Sequence, residues 1–176
     1  MYPFVRLFKV TRAARRAAPL PPGGTHVSHH ICWPWDLDPW RELNNGRTLT
    51  LFDLGRLPLA IRTGLIGAAK RQGWAIAVAG GSIRYRRRVH AFERLEMRSR
   101  LLGWDRRFLY VEQSTWKRGE CASHVLLRLA VTGTAGIVNP SEVLAAMGHP
   151  AASPSLPAWV EAWIAAEAQR PWPPER

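Results

Sequence analysis

This sequence has little cysteine and no long apolar run. Its two cysteines, Cys32 and Cys121, lie far apart in apolar segments, without the spacing of a metal or redox motif. We therefore expect buried free thiols in a reducing compartment, which favours a cytoplasmic location. No apolar stretch has the length that crossing a bilayer requires. Near the N-terminus, arginine and lysine interrupt the apolar residues too often for a secretory signal peptide.

Acidic residues are also scarce. The chain has 25 Lys and Arg against 13 Asp and Glu, which gives a net charge of +12. Such a balance favours anionic partners: nucleic acid, an acidic membrane surface, or a polyphosphate ligand such as coenzyme A. The glycine spacings of the Walker and dinucleotide-binding loops are absent, and so is any recognised nucleic-acid-binding motif. Nucleic acid is therefore the least favoured of these partners.

Proline and glycine divide the chain into three predicted parts. We assign residues 1–24 to a basic N-terminal arm and linker, residues 25–150 to one folded domain, and residues 151–176 to a C-terminal helix and tail. The arm mixes apolar residues with arginine and lysine. Two interpretations stay open for it: a short helix packed on the domain, or a segment on an anionic membrane surface, which would make the protein membrane-peripheral.

Hydrophobic periodicity predicts an α+β fold. A strand over residues 25–35 is followed by a helix over residues 46–70 and then by a meander of about four long strands. A curved antiparallel β-sheet wrapped around this one long central helix would bury its apolar stripe. Extra C-terminal helices are expected near Ser141–Met147 and Leu156–Ala168. The uncovered sheet edges predict a homodimer.

Two positions interrupt the regular pattern. Pro58 predicts a kink or break in the central helix, because proline removes a hydrogen bond and clashes with the preceding turn. Gly80-Gly81 predicts a bulge in the strand that follows.

Three histidines in the first predicted strand, His26, His29 and His30, suggest a metal site. Strand alternation places the adjacent His29 and His30 on opposite faces of the sheet. No nearby acidic residue or cysteine completes a ligand set. We therefore predict no metal site.

The residues that could carry chemistry concentrate in the stretch over residues 33–56. Three carboxylates, Asp36, Asp38 and Glu42, precede the N-cap cluster Asn44-Asn45-Gly46. A helix N-terminus presents free N–H donors and a partial positive charge. A carboxylate just ahead of it can act as a base or nucleophile, while the donors polarise a carbonyl under attack. The alternative, which spacing alone favours, is that these residues are ordinary caps and turns.

The same stretch carries the pattern Asp36-x-Asp38-(x)5-Asn44-Asn45-x-x-Leu49. This pattern resembles the hot-dog thioesterases of the 4-hydroxybenzoyl-CoA thioesterase type, in which Gly-Asp-x-Asp-x-x-Gly-His-x-Asn-Asn-x-x-Tyr-Leu leads into the central helix. A fuller resemblance, over most of the chain, is to the acyl-CoA thioesterase-like branch that includes thioesterase superfamily member 6. The motifs shared with this branch are Asp53-Leu54-Gly55-Arg56, Arg62-Thr63-Gly64-Leu65, Ser82-Ile83-Arg84-Tyr85-Arg86-Arg87 and Leu101-Leu102-Gly103-Trp104-Asp105.

The resemblance implies a hot-dog fold and hydrolysis of an acyl-CoA thioester to free acid and coenzyme A. Asp38 takes the position of the family's catalytic carboxylate, and Glu42 is the second catalytic candidate because it stands where relatives have histidine. Coenzyme A enters as part of the substrate, so we expect no separate cofactor. Family members form homodimers, and some pair further into homotetramers.

The resemblance also implies a substrate site around the helix start. The predicted substrate-binding residues are Trp35, Asn44, Asn45, Gly46 and Arg47. Guanidinium groups pair well with phosphate, and the predicted ligands of the coenzyme A phosphates are Arg84, Arg86 and Arg87. An apolar slot between helix and sheet would hold the acyl chain, lined by Trp35, Trp40 and Leu43.

The sequence departs from the family pattern at two places. Arg41-Glu42 stands where relatives have Gly-His, and Thr48 stands where relatives commonly have tyrosine. These departures keep a second hypothesis open, in which the protein is a non-catalytic hot-dog module that binds acyl-CoA or a lipid, or is a dimeric scaffold.

Overall fold

An antiparallel sheet and five α-helices make up the part of the chain that the computed structural model describes, residues 2–174; Met1, Glu175 and Arg176 lie outside it. The ends of the first and last predicted parts of the chain therefore also lie outside the described residues. The helices are α1 (Phe4–Arg16), α2 (Asn45–Arg62), α3 (Leu65–Gln72), α4 (Pro140–Ala146) and α5 (Ala158–Gln169). The strands are β1 (His26–Ile31), β2 (Ala75–Tyr85), β3 (Arg94–Trp104), β4 (Leu109–Lys117), β5 (Glu120–Gly133) and β6 (Gly136–Ile137).

The strand order in the sheet is β1-β3-β4-β5-β2, and the short β6 pairs with β5. Every pairing is antiparallel. The register between β2 and β5 shifts between Val78 and Gly80, so β2 has a bulge, but at Ala79, just before the predicted Gly80-Gly81, which pair regularly with β5. With this order, β1 and β2 form the two edges of the sheet. The predicted α+β architecture, a sheet around a central helix with helices added after it, is confirmed.

The central helix α2 lies against the inner face of the sheet. Leu51 and Leu54 of α2 join the same buried cluster as Val111 and Val125 of the sheet. Gly55 lets the helix approach β3 closely, because a Cβ built on it would lie 2.5 Å from the hydroxyl oxygen of Ser99 and 2.7 Å from the sulfur of Met97. Helix and sheet therefore bury one continuous core, which fixes where the start of α2 meets the strands.

The central helix continues through Pro58, so a break at that residue was a wrong prediction. The interruption comes at Gly64, which has a φ of +87° and separates α2 from α3. Proline inside a helix costs about 3 kcal/mol. Burying each of the flanking leucines Leu54 and Leu59 contributes about 2 kcal/mol, which offsets that loss.

Helix α5 covers the outer face of the sheet. Tyr110, Leu126 and Val160 form a second buried cluster there. The ring of Trp163 meets that of Tyr110 edge-on, with 6.5 Å between centroids, so Trp163 docks α5 on the sheet. Trp159 remains 45% exposed and contacts the ring of His124.

Helix α1 packs on α2. Leu7 and Val10 contact the main core, and Ala14 is buried. Beyond the helix, the N–H of Leu20 donates to the carbonyl of Arg62 at 2.9 Å, which ties the linker to the end of α2. The N-terminal arm thus contains a helix whose inner face packs on the domain. No helix among residues 2–174 is both long enough and apolar enough to cross a membrane.

Two of the three histidines of β1 face inward. His26 and His30 are each 8% exposed, whereas His29 lies on the outer face. Burial, with the neighbouring Arg62, lowers the pKa of His26 to about 4. Burial, followed by the charge of Arg6, lowers the pKa of His30 to about 4. Both imidazoles are therefore neutral, and no group of metal-ligand side chains occurs in the described part of the chain.

Both cysteines are free thiols, as the sequence predicted. Cys32 is buried, and its burial beside Asp36 raises the pKa of the thiol to about 11. Cys121 is half-buried, and burial also raises its pKa. The cytoplasmic location stays a prediction.

Candidate functional site

A tight loop over residues 37–43 leads into the central helix. Leu37 and Leu43 pair across it as an antiparallel bridge. One carboxylate oxygen of Asp38 accepts the N–H groups of Trp40 and Glu42, at 2.9 and 3.2 Å. Asp38 therefore closes the loop with one oxygen, while no group among residues 2–174 donates to its other oxygen.

The loop turns at Arg41, whose φ of 61° lies in the left-handed region that favours glycine. This is the position at which the thioesterases that the sequence resembles have glycine. The ring nitrogen Nδ1 of His90 lies 3.2 Å from the carbonyl oxygen of Arg41. The loop thus keeps a glycine-like conformation with an arginine side chain, and a residue from before β3 supports it.

Asp36 is an anchor for the surrounding segments. Its side chain is fully buried and forms ion pairs with Arg6 of α1, at 2.8 Å, and with Arg47 of α2, at 2.6 Å. It also accepts the N–H of Trp33 at 3.0 Å. Because both carboxylate oxygens are engaged, Asp36 positions the loop, α1 and the first turn of α2 relative to one another.

The start of α2 presents two available donors. The side chain of Asn44 accepts the N–H of Arg47 at 3.0 Å, which confirms the predicted N-cap. Within the described chain, the N–H groups of Asn45 and Gly46 have no hydrogen-bond partner. The phenol of Tyr85, at the end of β2, donates to the carbonyl of Asn45 at 3.0 Å. Burial raises the pKa of Tyr85, which keeps that phenol protonated.

A cavity of about 210 Å³ opens at this helix start. The side chain of Thr48, at the position where relatives commonly have tyrosine, is buried and donates to the carbonyl of Asn44 at 3.1 Å. The cavity combines a carboxylate, the first residues of the helix, hydroxyl groups and a run of arginines. Its lining residues are Glu42, Leu43, Asn45, Thr48, Tyr85, Arg86, Arg87, Arg88, Val89, Ala122 and Ser123.

The arginines after β2 differ in their partners. Arg88 lies 3.1 Å from a carboxylate oxygen of Glu42, and Arg87 lies 3.0 Å from Glu120. In residues 2–174, no carboxylate pairs with the guanidinium groups of Arg84 or Arg86, and both residues are exposed. A second, wider basic cavity of about 430 Å³ adjoins the run and adds Lys117, Arg118 and His90. This surface can therefore bind an anion with several negative charges.

A mainly apolar cavity of about 420 Å³, larger than the one of about 210 Å³ at the helix start, lies farther along α2. Strand β2 runs antiparallel to α2, with Tyr85 near Asn45 and Val78 near Leu57. The two cavities therefore lie one after the other between α2 and β2, the polar one near Asn45 and Tyr85 and the apolar one near Leu57 and Val78, and we call this line of cavities the groove. The apolar end is lined by Leu57, Ala60, Leu65, Ile66, Ala69, Trp74, Ile76, Ala77, Val78 and Leu129, with Asp53, Arg56 and Lys70 at its polar rim.

A buried polar network lies beneath that rim. Arg56 pairs with Asp53 and donates to the side chain of Gln113 at 3.2 Å. The phenol of Tyr2 donates to Asp53 at 2.7 Å. Burial, followed by the hydrogen bond and the charge of Asp53, raises the pKa of Tyr2 to about 12. Gln113 in turn donates to Ser99 at 2.8 Å. The network thus connects the N-terminal segment to the middle of the sheet through α2.

The structure brings together only some of the predicted site residues. Glu42, Asn45, Arg86 and Arg87 line the cavity at the helix start, and Asp38, Asn44, Gly46 and Arg47 form the loop and first turn beside it. Arg84 points from the exposed part of β2 and does not line that cavity. Trp35 and Trp40 are 68% and 78% exposed and line neither cavity on the groove.

Sequence reasoning missed several participants. Arg88 belongs to the same arginine run as Arg86, but only the structure shows its pairing with Glu42. Asp53 and Arg56 stood in a shared motif, and their spacing of three residues on a helix signals a side-chain pair. Gln113 carries no signal in the sequence, since its role depends on the register of β4.

Comparison with known proteins shows which family the chain is related to. The family model of the thioesterase-like superfamily matches residues 32–164. Protein THEM6 from Xenopus laevis is 36% identical over 142 residues, which cover 79% of this chain and 67% of the relative. Protein THEM6 from Drosophila melanogaster is 29% identical over 144 residues, which cover 80% of this chain and 72% of the relative.

Solved structures of thioesterases share the fold. The probable thioesterase YbaW from Escherichia coli matches with a TM-score of 0.63 at 18% identity, over 69% of this chain and 97% of that one. The DHNA-CoA thioesterase from Staphylococcus aureus matches with a TM-score of 0.60 at 16% identity, over 82% and 91%. Protein SAV2348 from Staphylococcus aureus, solved in complex with CoA, matches with a TM-score of 0.63 at 8% identity, over 82% and 96%. The hot-dog fold is therefore confirmed, and the chain belongs to the thioesterase-like superfamily.

Proposed function

We propose that this protein hydrolyses acyl-CoA thioesters, with the reacting carbonyl held at the start of α2. The observation that carries the proposal is a cavity lined by Glu42, by Asn45 of the helix start and by an arginine run, with Asp38 in the adjoining loop. The N–H groups of Asn45 and Gly46 have no described hydrogen-bond partner. The N–H groups of Asn45 and Gly46 would stabilise the negative charge that develops on the thioester oxygen. Attack of water on the carbonyl carbon then breaks the C–S bond, and the coenzyme A thiolate takes up a proton as it leaves.

Two carboxylates can activate that water. Asp38 has one oxygen without a donor and matches the family's catalytic position. Glu42 lines the cavity itself, but its carboxylate pairs with Arg88. We assign the base, or the attacking nucleophile, to Asp38, and a role in positioning Arg88 to Glu42.

Charge and shape along the groove support coenzyme A at one end and the acyl chain at the other. The guanidinium group of Arg86, which no described carboxylate neutralises, and that of Arg87 would bind the phosphates, whereas Arg84 lines none of the basic cavities and is left out of the proposed site. Protein SAV2348, which shares the fold and was solved in complex with CoA, supports this part of the proposal. The acyl chain would follow the groove beside Leu49 into the apolar cavity of about 420 Å³.

The test is thiol release from short, long and aromatic acyl-CoAs by wild type, Asp38→Asn and Glu42→Gln. Asparagine keeps the oxygen that accepts the N–H groups of Trp40 and Glu42, so Asp38→Asn removes the charge without opening the loop. Glu96→Gln is the control, because Glu96 pairs with Arg98 on the outer face of β3, away from the groove.

We expect Asp38→Asn to lose about 100-fold or more in turnover, as removal of a general base does. Glu42→Gln should raise KM more than it lowers kcat, and the control should match wild type. Full activity of Asp38→Asn together with loss in Glu42→Gln would move the catalytic role to Glu42. Activity that survives in both variants would refute this site.

A non-catalytic acyl-CoA-binding module is the second candidate. One observation favours it: both carboxylates already have partners. Asp38 accepts the N–H groups of the loop, and Glu42 pairs with the side chain of Arg88. Binding of a CoA ester that Arg86→Gln weakens, with no thiol release on any ester, would support this function instead.

The free edge of β2 supports a homodimer. Strand β2 pairs with β5 on one side, and its other edge pairs with no strand of residues 2–174, although it runs for 11 residues and exposes Val78. A second copy that pairs along this edge would satisfy the exposed N–H and carbonyl groups and cover the groove. Light scattering after gel filtration should show a dimer, and Ser82→Pro on that strand should yield monomer.

A further inference from the structure

The outer face of helix α1 is apolar at its start and basic along the rest. Leu7, Val10 and Ala14 face α2, so the opposite side of the helix is open to solvent. Three large apolar side chains stand on that open side within the first two turns, each between 66% and 71% exposed. They are Phe4, Val5 and Phe8.

Exposed cations follow the three apolar side chains. Lys9, Arg12, Arg15 and Arg16 are all exposed on the same helix, and none of them has an ion-pair partner among residues 2–174. The first acidic residue of the chain is Asp36, which is buried. The open face therefore combines two features that rarely occur together on a solvated helix: clustered aromatic side chains and uncompensated positive charge.

We propose that the outer face of α1 binds an anionic phospholipid surface. Phe4, Val5 and Phe8 would enter the boundary between head groups and acyl chains, and the lysine and arginines would lie among the lipid phosphates and carboxylates. Charge complementarity selects a lipid surface over a second copy of the chain, because two such faces would bring eight cations together. The helix lies on the membrane and does not cross it.

Packing makes the surface rigid before it binds. The ion pair between Arg6 and the buried Asp36, at 2.8 Å, and the hydrogen bond of Tyr2 to Asp53, at 2.7 Å, fix the start of α1 to the domain. The membrane-facing side chains therefore need no helix-folding step on binding, unlike those of a disordered basic arm.

The experiment is flotation of the full-length protein with vesicles of phosphatidylcholine alone and of phosphatidylcholine with 30% phosphatidylserine. We expect binding to the anionic vesicles only, and it should weaken steeply between about 0.05 and 0.5 M salt. Phe4→Ser/Phe8→Ser should bind at least about tenfold more weakly, and Arg12→Gln/Arg16→Gln about 30-fold more weakly. Arg106→Gln/Arg107→Gln, on the turn between β3 and β4, removes the same charge and should bind like wild type.

Each alternative outcome is distinguishable. Circular dichroism spectra that match wild type confirm that the variants fold, which the exposure of the substituted side chains leads us to expect. Equal losses in the Arg12/Arg16 and Arg106/Arg107 variants would assign the binding to net charge and overturn the proposal. Unchanged vesicle binding by Phe4→Ser/Phe8→Ser would also overturn the proposal. So would conversion of this variant from dimer to monomer, because the apolar side chains would then contact a second copy of the chain. Thiol-release activity in solution should be the same for all these variants, so this test is independent of the proposed catalysis.

Discussion

Replacing Asp36 by asparagine should be the most destabilising single change in the segment between β1 and α2. The carboxylate is fully buried, and its partners Arg6 and Arg47 are themselves only 18% and 15% exposed. One guanidinium nitrogen of Arg6 is buried without any described hydrogen-bond partner, so the carboxylate supplies much of the compensation for that charge. Asp36→Asn would leave two buried cations facing a neutral amide.

The size of the loss follows from these contacts. Removing one partner of a buried ion pair costs about 3–5 kcal/mol. Asparagine keeps one oxygen that can accept the N–H of Trp33, now 3.0 Å from the carboxylate, so we expect the lower end, about 3 kcal/mol. With a urea m-value of about 2 kcal/mol/M, that loss lowers the unfolding midpoint by about 1.5 M.

Urea unfolding, followed by far-ultraviolet circular dichroism at about pH 7, measures this shift. The matched control is Glu120→Gln, which breaks an ion pair with Arg87 whose side chains are 55% and 61% exposed. An exposed pair contributes about 0–1 kcal/mol, so the control should stay within about 0.5 M of wild type. A loss below about 1 kcal/mol in Asp36→Asn would refute the reasoning that the two arginines depend on this carboxylate.

Three further predictions concern protonation, backbone strain and packing. Because the folded pKa values of His26 and His30, about 4, lie below the unfolded value of 6.5, only the unfolded chain takes up protons between these values. The unfolding free energy should therefore fall as pH decreases from about 6.5 to 4, by on the order of 2 kcal/mol per imidazole. Arg41→Gly should raise stability by about 0.5–1 kcal/mol in urea titrations, since it relieves a left-handed φ of 61°. Gly55→Ala should lower stability by about 2 kcal/mol, because its methyl group would overlap the sulfur of Met97.

Each of the three has a control within the chain. His26→Gln removes one buried imidazole and should reduce the pH dependence, while the unchanged imidazole of His30 serves as the internal reference. Arg106→Gly, at a residue that is not left-handed, should destabilise rather than stabilise. Gly67→Ala in α3, whose added methyl group would meet only the flexible end of Arg71, should be neutral or stabilising. A change of the opposite sign to the expected one, in any of these variants, would contradict the corresponding structural explanation.

The order of elements could be predicted from the sequence because periodicity is local information. The half-buried strand β3 alternates its side chains, and the glycine pair Gly80-Gly81 marks the bulge of β2 to within one residue. The end of α2 was harder to predict, because Pro58 and Gly64, six residues apart, can each end a helix. Pro58 removes one hydrogen bond and stays inside the helix, whereas Gly64 permits a backbone angle that ends it. Tertiary burial of the leucines beside Pro58 decided the outcome, and burial is invisible in a local pattern.

The candidate site divides in the same way. Its loop and helix cap lie within ten residues of sequence, so Asp38, Glu42 and Asn44 could be assigned to one place from spacing alone. The pairing of Glu42 with Arg88 depends on the path of the chain after β2, 46 residues later, and no periodicity records it. That pairing bears on the site, because it engages the carboxylate of Glu42, whereas Asp38 keeps one oxygen to which no described group donates. The choice of Asp38 over Glu42 as the base stays a proposal, and only the comparison of Asp38→Asn with Glu42→Gln decides it.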